Sequence, residues 1–474
     1  MTKTAAIIGG GVIGGGWAAR FALSGWNVAI FDPDPEAKRK ISEVMANARR
    51  SLPALSEVAL PPEGQVKIVP TLADAVTGAD WIQESAPERL EMKHKIFAEI
   101  QSHCRKDALI GSSTSGFKPS ELQQGALRPG EIFVAHPFNP VYLLPLIELV
   151  GDDATTTRAQ AVLTKIGMKP LKLRKEIDAH VADRFLEAVW REALWLIKDG
   201  IATTEEIDDA IRFGFGLRWG QMGLFETYRV AGGEAGMAHF IEQFGPCLQW
   251  PWTKLMDVPE LTDDLVQKIA SQSDAQSGAH TIRELERIRD DNLVSMMRSL
   301  KGRDWGAGAL LNAHDARLEG KSDPDFTKPI ITVARAIPID WTDYNGHMNE
   351  SRYAEVFSLA VDHVMVQVGA DADYIASGFS YFTVDLSCQY IAEAHAGQMI
   401  TVQSQIMLGE GKKLKVHHRM LAEDGTLLAT GDHFMLHVSL KTRRTCDPEP
   451  EVMERIVAAA KAHAALPDPR EKRS

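Results

Sequence analysis

The sequence predicts three consecutive folded parts: an α/β part with a doubly wound sheet, an all-α helical part, and an α+β part with an antiparallel sheet. Residues 1–180 alternate short apolar strand patterns with helical patterns, which indicates a parallel sheet covered by helices. Helical spacing dominates residues 181–318, and long strand patterns dominate residues 330–446. At 474 residues, the chain is long enough for about three domains.

The boundaries between these parts follow changes in pattern. The polar, turn-rich segment 319–329 predicts a linker. We therefore expect domains at 1–180, 181–318 and 330–446, and a tail at 447–474 that begins as an Ala-rich helix and ends in a charged, frayed segment.

Apolar runs in the first part have the length and composition of buried strands. A helix beginning at Gly14 follows the first of them. The runs are Ala5–Ile8, Asn27–Phe31, Trp81–Ile82, Ala108–Gly111 and Ile132–Ala135. In the last part a helix, Glu350–Val368, lies between β-rich segments. Its long antiparallel strands are predicted at Phe379–Ile391, Met399–Leu408, Lys413–Leu421 and Leu427–Val438.

The composition argues against several classes of function. The formal net charge is -12, whereas nucleic-acid binding needs a basic face for phosphates. No apolar run approaches the roughly 20 residues of a membrane-spanning helix. The four cysteines are far apart and form no C-x-x-C pair. We therefore expect a cytoplasmic protein without a metal site and without nucleic-acid or membrane partners.

A glycine-rich loop follows the first strand. Residues 9–14 read G-x-G-x-x-G before a helix, and Asp32 closes the second strand. The glycines permit a tight turn close to a pyrophosphate, whose charge the helix N-terminus stabilises. Asp32 can accept hydrogen bonds from the adenine ribose and would repel a 2′-phosphate, which favours NAD over NADP. The alternative is a glycine turn without a ligand. The predicted cofactor-binding residues of this Rossmann-type domain are Gly9, Gly10, Gly11, Val12, Ile13, Gly14, Gly15 and Asp32.

Three separated segments carry the polar groups that alcohol oxidation requires, and they contain Ser115, His136 and Glu148. Histidine suits removal of the hydroxyl proton because imidazole titrates near neutrality. A carboxylate such as Glu148 can orient the ring and stabilise its charged form. Ser115 can hydrogen-bond the substrate oxygen. The alternative for His136 alone is a histidine that packs in the core.

Residues 3–315 resemble the 3-hydroxyacyl-CoA dehydrogenase family. The resemblance rests on the glycine loop, S-T-S ending at Ser115, H-P-F-N-P beginning at His136, and the glutamate at 148, in that order. It implies that His136 is the base, Glu148 its partner and Ser115 a substrate contact.

One position departs from that family pattern. The family has asparagine near the start of the first long helix of its second domain, where this chain has Asp183. An ionised carboxylate only accepts hydrogen bonds, so the role of this position and the usual acyl-CoA substrate are both open. The segment 135–150 resembles the branch of the family that oxidises small free hydroxy acids.

The helical part is rich in aromatic residues. It holds six of the ten tryptophans: Trp190, Trp195, Trp219, Trp250, Trp252 and Trp305. Proteins hold a quaternary ammonium by cation–π contact, so a small 3-hydroxy acid with a trimethylammonium group would suit this part. We name Asp183, Phe185 and Trp190 as candidate substrate residues; the alternative is that such aromatics pack in the core. The candidates for the substrate carboxylate are Arg184, Arg191, Arg218 and Arg229.

Residues 330–445 resemble the hotdog-fold acyl-CoA thioesterases. The resemblance rests on D-x-x-G-H-x-N-x-x-x-Y, which begins at Asp343 and includes His347 and Asn349. It implies a helix wrapped by an antiparallel sheet, with sites between paired subunits. Asp343 could act as nucleophile or activate water, and the helix start could polarise the thioester. His347 could position substrate or pack the turn. The alternative is a silent dimerisation module.

As a whole, the chain resembles fused enzymes that oxidise L-carnitine with NAD and hydrolyse betainyl-CoA to glycine betaine and CoA. Trp341, Tyr344, Phe379, Tyr381 and Phe382 are candidates for an aromatic recess in the second site. Both resemblances imply at least a dimer, and we expect a homodimer. Two other hypotheses stay open: a 3-hydroxyacyl-CoA dehydrogenase fused to a thioesterase of different specificity, and a binding protein without turnover.

Overall fold

The structure is a computed structural model that describes residues 2–56, 58, 60–231, 240–243, 253, 260, 262–319 and 325–470. Trp250, Trp252, the side chain of Arg229 and part of the expected linker lie outside the described residues. In the described part of the chain, no helix is both long and apolar enough to cross a membrane.

Two compact units make up the described chain. The first falls within Met1–Ala22, Trp26–Met45 and Gly64–Asn312, and the second within Leu23–Gly25, Ala46–Glu63 and Ala313–Ser474. The domain boundaries proposed above stay predictions, because the two units are defined by contacts between residues and not by changes in the sequence pattern.

An eight-stranded sheet forms the centre of the first unit, in the order β3-β2-β1-β4-β5-β6-β7-β8. Its strands are β1 Thr4–Ile8, β2 Asn27–Phe31, β3 Val66–Ile68, β4 Trp81–Glu84, β5 Leu109–Ser112, β6 Ile132–Pro137, β7 Leu146–Val150 and β8 Lys169–Lys172. This confirms the predicted doubly wound sheet and each predicted strand in it.

The sheet departs from a fully parallel one at a single pairing. All neighbouring strands run parallel except β6 and β7, which run antiparallel. The loop 138–145 between them is too short for the crossover that parallel strands need, which takes a dozen residues or more.

Helices cover this sheet and continue into the helical region of the same unit. The helices beside the sheet are α1 Val12–Leu23, α2 Ala37–Ser51, α3 Leu72–Val76, α4 Leu90–His103, α5 Pro119–Leu122 and α6 Asp153–Lys165. Those that follow are α7 Ala182–Lys198, α8 Thr204–Ala210, α9 Gly216–Ala231, α10 Asp263–Ser277, α11 Ile282–Ser299 and α12 Ala307–Glu319, of which the last runs past the end of this unit at Asn312. Within this unit the hydroxyl of Tyr142, in the loop after β6, donates to Asp290 of α11 at 2.6 Å. This bond joins the helical region to the loop between β6 and β7.

The second unit is built on an antiparallel sheet, in the order β10-β13-β12-β11-β9, with β14 paired to β13. Its elements are β9 Ile330–Ala336, α13 Glu350–Gln367, α14 Ala372–Ala376, β10 Phe379–Tyr390, β11 Met399–Glu410, β12 Lys413–Ala422, β13 Leu427–Ser439, β14 Arg444–Thr445 and α15 Pro450–His463. These elements confirm the predicted helix, strands and fold class.

One close contact explains how α13 packs on this sheet. Phe357 of α13 is fully buried, and a Cβ at Gly431 of β13 would lie 2.6 Å from its ring. Only glycine lets the helix approach the strand this closely. This contact helps to fix α13, which follows directly after the D-x-x-G-H-x-N motif, at its place on the sheet.

Candidate functional site

The glycine loop between β1 and α1 fits a dinucleotide. Gly9 has a φ of 98°, and a Cβ there would lie 2.6 Å from the carbonyl oxygen of Ser85. A Cβ at Gly14 would lie 1.7 Å from the carbonyl oxygen of Gly9, whereas Gly11 faces open space. The loop therefore needs glycine at two positions for its own folding, and it leaves a cradle at Gly11 that a Cβ would fill.

Asp32, at the end of β2, is bonded to this loop. Its Oδ2 accepts from the backbone N–H of Gly10 at 2.5 Å, and its Oδ1 accepts from Asp34 N–H at 2.8 Å. Each carboxylate oxygen has two lone pairs, so Asp32 can still accept ribose hydroxyls. The residues present therefore fit NAD: a glycine cradle, a helix N-terminus and an acceptor for the ribose.

A buried ion pair that the sequence analysis missed lies where β4 ends. Lys93 Nζ is 2.8 Å from Glu84 Oε1, and both side chains are buried. Glu84 also accepts from the N–H of Ala86 at 2.7 Å and from the hydroxyl of Ser112. These bonds fix the backbone that packs against Gly9. A lysine on the buried face of α4 is the one sequence signal that could have pointed to it.

The predicted base and its partner lie together. His136 of β6 and Glu148 of β7 face each other in the antiparallel register, and His136 Nδ1–H donates to Glu148 Oε2 at 3.1 Å. Glu148 is fully buried, and its Oε1 accepts from the N–H groups of Val181 at 2.8 Å and Ala182 at 3.0 Å. The pair joins the sheet to the start of α7.

The pKa of Glu148 is set by two opposing effects. Burial alone would raise it, but the hydrogen bonds from His136, Ala182 and Val181 outweigh burial and hold the pKa of Glu148 below its ordinary value. The carboxylate therefore stays ionised near neutral pH. It can orient the ring through Nδ1 and stabilise an imidazolium, which leaves Nε2 to act on a substrate.

Asp183 faces the other ring nitrogen of His136. Its Oδ2 lies 3.6 Å from His136 Nε2, which is too long for a hydrogen bond but within ion-pair range. Burial raises the pKa of Asp183 above its ordinary value. The position where the resemblance predicted asparagine thus lies beside the reactive nitrogen.

His180 lies behind this pair. Its ring centroid is 5.5 Å from that of His136, and its Nε2–H donates to the carbonyl of Thr114 at 3.2 Å. Burial lowers the pKa of His180, which keeps the ring neutral. Ala179 and His180 have φ values of 58° and 51°, a strained backbone for residues other than glycine. Sequence reasoning missed this strained turn, because alanine and histidine give no signal for it.

The other predicted residues of this site lie further out. Ser115 is exposed and follows Thr114, whose carbonyl accepts from His180. Phe185 and Trp190 of α7 are 56% and 61% exposed, so neither closes a pocket within the described chain. Arg184 is also exposed. Arg191 lies 3.8 Å from Glu187. Their roles stay predictions.

The second predicted site is a turn before α13. Asp343 N–H donates to His347 O at 2.9 Å, and Gly346 N–H donates to Asp343 O at 3.0 Å. The Asp343 carboxylate accepts from Asn345 N–H at 2.8 Å. Asn349 caps α13, since its side chain accepts from Ser351 N–H at 3.0 Å. The turn and its cap therefore hold Asp343 near the N-terminus of the helix.

His347 lies against two residues of the segment after β10. Its Nε2 is 3.5 Å from Glu393 Oε2, and its ring centroid is 4.9 Å from that of His395. In the part of the chain that the structure describes, these three residues form the one group whose ligand atoms, all within 4.8 Å, could share a metal ion. The expectation of no metal stays a prediction.

The aromatic candidates of the second unit differ in burial. Trp341 is 1% exposed, and the Arg335 guanidinium covers its ring at 4.3 Å, so it packs in the core. Tyr381 is also buried, and Phe379 stacks on His437. Tyr344, beside Asp343, is 96% exposed and presents an open aromatic surface, and Phe382 is partly exposed.

Comparison with protein families divides the chain in the same order. Residues 4–177 match the NAD binding domain of 3-hydroxyacyl-CoA dehydrogenase, and residues 180–271 match the C-terminal domain of that enzyme. Residues 337–456 match the thioesterase-like superfamily.

Comparison with individual proteins extends over the whole chain. An L-carnitine dehydrogenase/betainyl-CoA thioesterase of Ruegeria pomeroyi is 65% identical, over 98% of this chain and 97% of that protein. A protein of the same description from Agrobacterium fabrum is 53% identical, over 98% and 96%. Among solved structures, an NAD-dependent dismutase, 5-formyl-3-hydroxy-2-methylpyridine 4-carboxylic acid 5-dehydrogenase, is 28% identical with a TM-score of 0.55, over 64% of this chain and 99% of that chain.

Proposed function

Since the chain belongs to the family of fused L-carnitine dehydrogenase/betainyl-CoA thioesterases, we propose that it catalyses both reactions. The first unit oxidises L-carnitine to 3-dehydrocarnitine with NAD, and the second hydrolyses betainyl-CoA to glycine betaine and CoA. Both substrates are small molecules. The observation that carries the first activity is the pair of His136 with a buried, ionised Glu148.

The first unit supplies a positioned base. His136 Nε2 takes the proton from the 3-hydroxyl while Glu148 holds Nδ1 and stabilises the imidazolium that forms. Ser115 contacts the substrate oxygen. NAD, when bound, supplies the hydride acceptor. Gly9 to Gly15 and Asp32 would hold it, and the fit of its pyrophosphate depends on the open face of Gly11.

The second unit supplies an anionic group beside a helix N-terminus. Asp343 attacks the thioester carbonyl, which expels CoA thiolate and leaves a mixed anhydride for water to hydrolyse, or it takes a proton from a water that attacks the carbonyl and displaces CoA directly. The backbone N–H groups at the start of α13 polarise the carbonyl oxygen, and Asn349 keeps that helix start in place. His347 positions the substrate. Single turnover in ¹⁸O-labelled water tests for the anhydride: water that opens it at the Asp343 carboxyl carbon leaves the label in the protein, whereas direct attack of water on the thioester puts the label in glycine betaine.

We further propose that the enzyme works in the cytoplasm, where both NAD and CoA thioesters are present. We also propose that it is a homodimer. Exposed apolar side chains support a dimer. Phe185 and Trp190 are exposed in the first unit, and Phe382 and Val384 are exposed on β10, a terminal strand of the sheet. Sedimentation of the purified protein tests the oligomeric state.

The deciding experiment is a pair of assays on the full chain. We expect NAD reduction with L-carnitine and not with 3-hydroxybutyryl-CoA, and release of CoA from betainyl-CoA. Oxidation of 3-hydroxybutyryl-CoA in place of L-carnitine would favour a fatty acyl-CoA dehydrogenase. Tight NAD binding without turnover of either class would favour a binding protein.

A further inference from the structure

The two carboxylates around His136 are in different states. Both oxygens of Glu148 accept hydrogen bonds, one from the ring and one from two backbone N–H groups. Asp183 accepts no hydrogen bond among the described residues, and its Oδ2 approaches only His136 Nε2, at 3.6 Å. Its side chain keeps 18% of its surface exposed. Among the described residues, the first site therefore contains one carboxylate with hydrogen bonds to both oxygens and one, Asp183, that has only a long ion pair with His136.

The chemistry of the proposed substrate places a cation close to this second carboxylate. The hydroxyl of L-carnitine must approach His136 Nε2 to about 3 Å for its proton to be removed. The hydroxyl oxygen and the ammonium nitrogen are three bonds apart, hence about 3 to 4 Å from each other in staggered conformations. A pose that delivers the hydroxyl to Nε2 can therefore place the trimethylammonium group beside Asp183. The substrate carboxylate is also one methylene group away from the hydroxyl-bearing carbon, and the negative charge of Asp183 selects the cation over it.

We propose that Asp183 is the anionic wall of a quaternary-ammonium subsite beside His136, and that Phe138 is its aromatic wall. Phe138 is half-buried, and its ring centroid lies 4.9 Å from that of His136. A quaternary ammonium has no N–H, so only charge and an electron-rich ring can hold it. This proposal rests on the proposed function and assigns its substrate selectivity to one residue.

The same carboxylate disfavours the substrates of the wider family. A neutral apolar chain placed against Asp183 would desolvate the charge without compensation. Asparagine, the residue that the family resemblance predicted here, carries no such penalty. Asp183 therefore attracts a cation and also rejects an uncharged acyl chain, the two ways in which a site becomes specific.

The test compares L-carnitine with its neutral isostere, 3-hydroxy-5,5-dimethylhexanoate, in which carbon replaces the ammonium nitrogen. In Asp183→Asn we expect kcat/KM for L-carnitine to fall about 10- to 100-fold, as for loss of one partly buried charge contact. We expect kcat/KM for the isostere to stay the same or rise. Equal losses for both substrates would overturn the proposal, because they would make Asp183 a positioning residue for His136.

A binding measurement separates recognition from chemistry. The dead-end ligand 4-trimethylammoniobutanoate keeps the cation but lacks the hydroxyl, and its inhibition constant should rise in Asp183→Asn by a factor similar to the loss in kcat/KM. An unchanged inhibition constant contradicts the proposal. Glu205→Gln is the matched control: it removes an exposed carboxylate from the first turn of α8, and it should leave the substrate ratio unchanged.

Two further measurements distinguish failure of the proposed function from failure of the cation subsite. Unchanged NAD affinity and native circular dichroism in Asp183→Asn show that the first unit of the variant is folded, and Asp183→Glu should recover part of the preference for L-carnitine because it keeps the charge. If the unaltered enzyme fails to oxidise L-carnitine, the proposed function fails. If it oxidises L-carnitine but Asp183→Asn leaves the substrate ratio unchanged, only the cation subsite fails.

Discussion

At His136 the two ring nitrogens face different carboxylates, Glu148 on Nδ1 and Asp183 on Nε2. All three residues could be predicted from the sequence, because each belongs to a motif of a known family or departs from it. It could not show that Glu148 is capped by the N–H groups of Val181 and Ala182. Those bonds depend on the docking of α7, which no local pattern encodes.

Substitution of one residue in each unit should separate the two activities. His136→Ala should reduce NAD reduction with L-carnitine by about 100-fold or more, since a general base contributes 10² to 10⁴ in rate. It should leave CoA release from betainyl-CoA intact, and Asp343→Ala should do the reverse. Loss of both activities from either change, in protein with native circular dichroism, would contradict two separate active sites.

Glu148 should make stability depend on pH. Its pKa is lowered in the folded protein, so its stabilisation is fully present above the unfolded value of about 4.3 and is lost as the pH falls through the folded pKa. Glu148→Gln should therefore lower the free energy of unfolding at pH 7 by roughly 1 to 3 kcal/mol, as for a buried charged group, which is measured as a lower urea midpoint at unchanged slope. The difference from the unaltered protein should shrink below about pH 4. A difference that is constant from pH 7 to pH 3 would contradict the assigned charge.

At the scale of elements, the glycine loop shows what a motif can and cannot predict. The sequence correctly placed the loop between β1 and α1 because both flanking patterns are strong. It did not distinguish glycines that the loop needs from those that a ligand needs. The structure separates them, since a Cβ at Gly14 would strike Gly9 while Gly11 faces open space.

This difference gives a prediction for the loop. Gly14→Ala should lower the thermal midpoint even without NAD, because its Cβ would overlap the backbone of Gly9. Gly11→Ala should leave the midpoint of the NAD-free protein unchanged and weaken NAD binding at least about 10-fold, since its methyl group would occupy the cradle of the pyrophosphate. Scanning calorimetry measures the thermal midpoints, and calorimetric titration with NAD measures the affinities. Gly130→Ala, also in open space but outside the loop, is the control and should change neither.

The antiparallel pairing of β6 and β7 is the part of the sheet that the sequence analysis did not predict. The sequence motifs indicated that His136 and Glu148 act as a pair. They did not indicate the relative direction of the two strands, because an apolar run has the same pattern in either direction. The direction follows from the short loop between the strands. The strained turn at Ala179 and His180 was missed for a related reason, since the tertiary contacts of His180 hold it.

For the whole molecule, the order of the parts could be predicted from pattern changes alone, because strand alternation and helical spacing differ over long stretches. The substrates could not, since no periodicity distinguishes carnitine from another hydroxy acid. They entered through family resemblance, which the identity of 65% to the Ruegeria pomeroyi protein supports.

The two reactions should be kinetically independent. The product of the first, 3-dehydrocarnitine, is not the substrate of the second, so a separate transfer to CoA must come between them. We expect the rate of NAD reduction to be unchanged by saturating betainyl-CoA, and CoA release to be unchanged by NAD and L-carnitine. A change above about threefold, or about 0.7 kcal/mol, in either rate would reveal coupling between the sites.

The bonds from Val181 and Ala182 to Glu148 also have a consequence for biosynthesis. The glycine loop, His136 and Glu148 are all made before the ribosome reaches α7, yet the carboxylate acquires its last two donors only once α7 has emerged. A nascent or truncated chain that ends before residue 181 therefore contains His136 and Glu148 but lacks the two backbone N–H groups that hold Glu148 in place. The dehydrogenase site is complete only when translation has passed well into α7. Incomplete chains therefore carry the cofactor-binding residues without dehydrogenase activity.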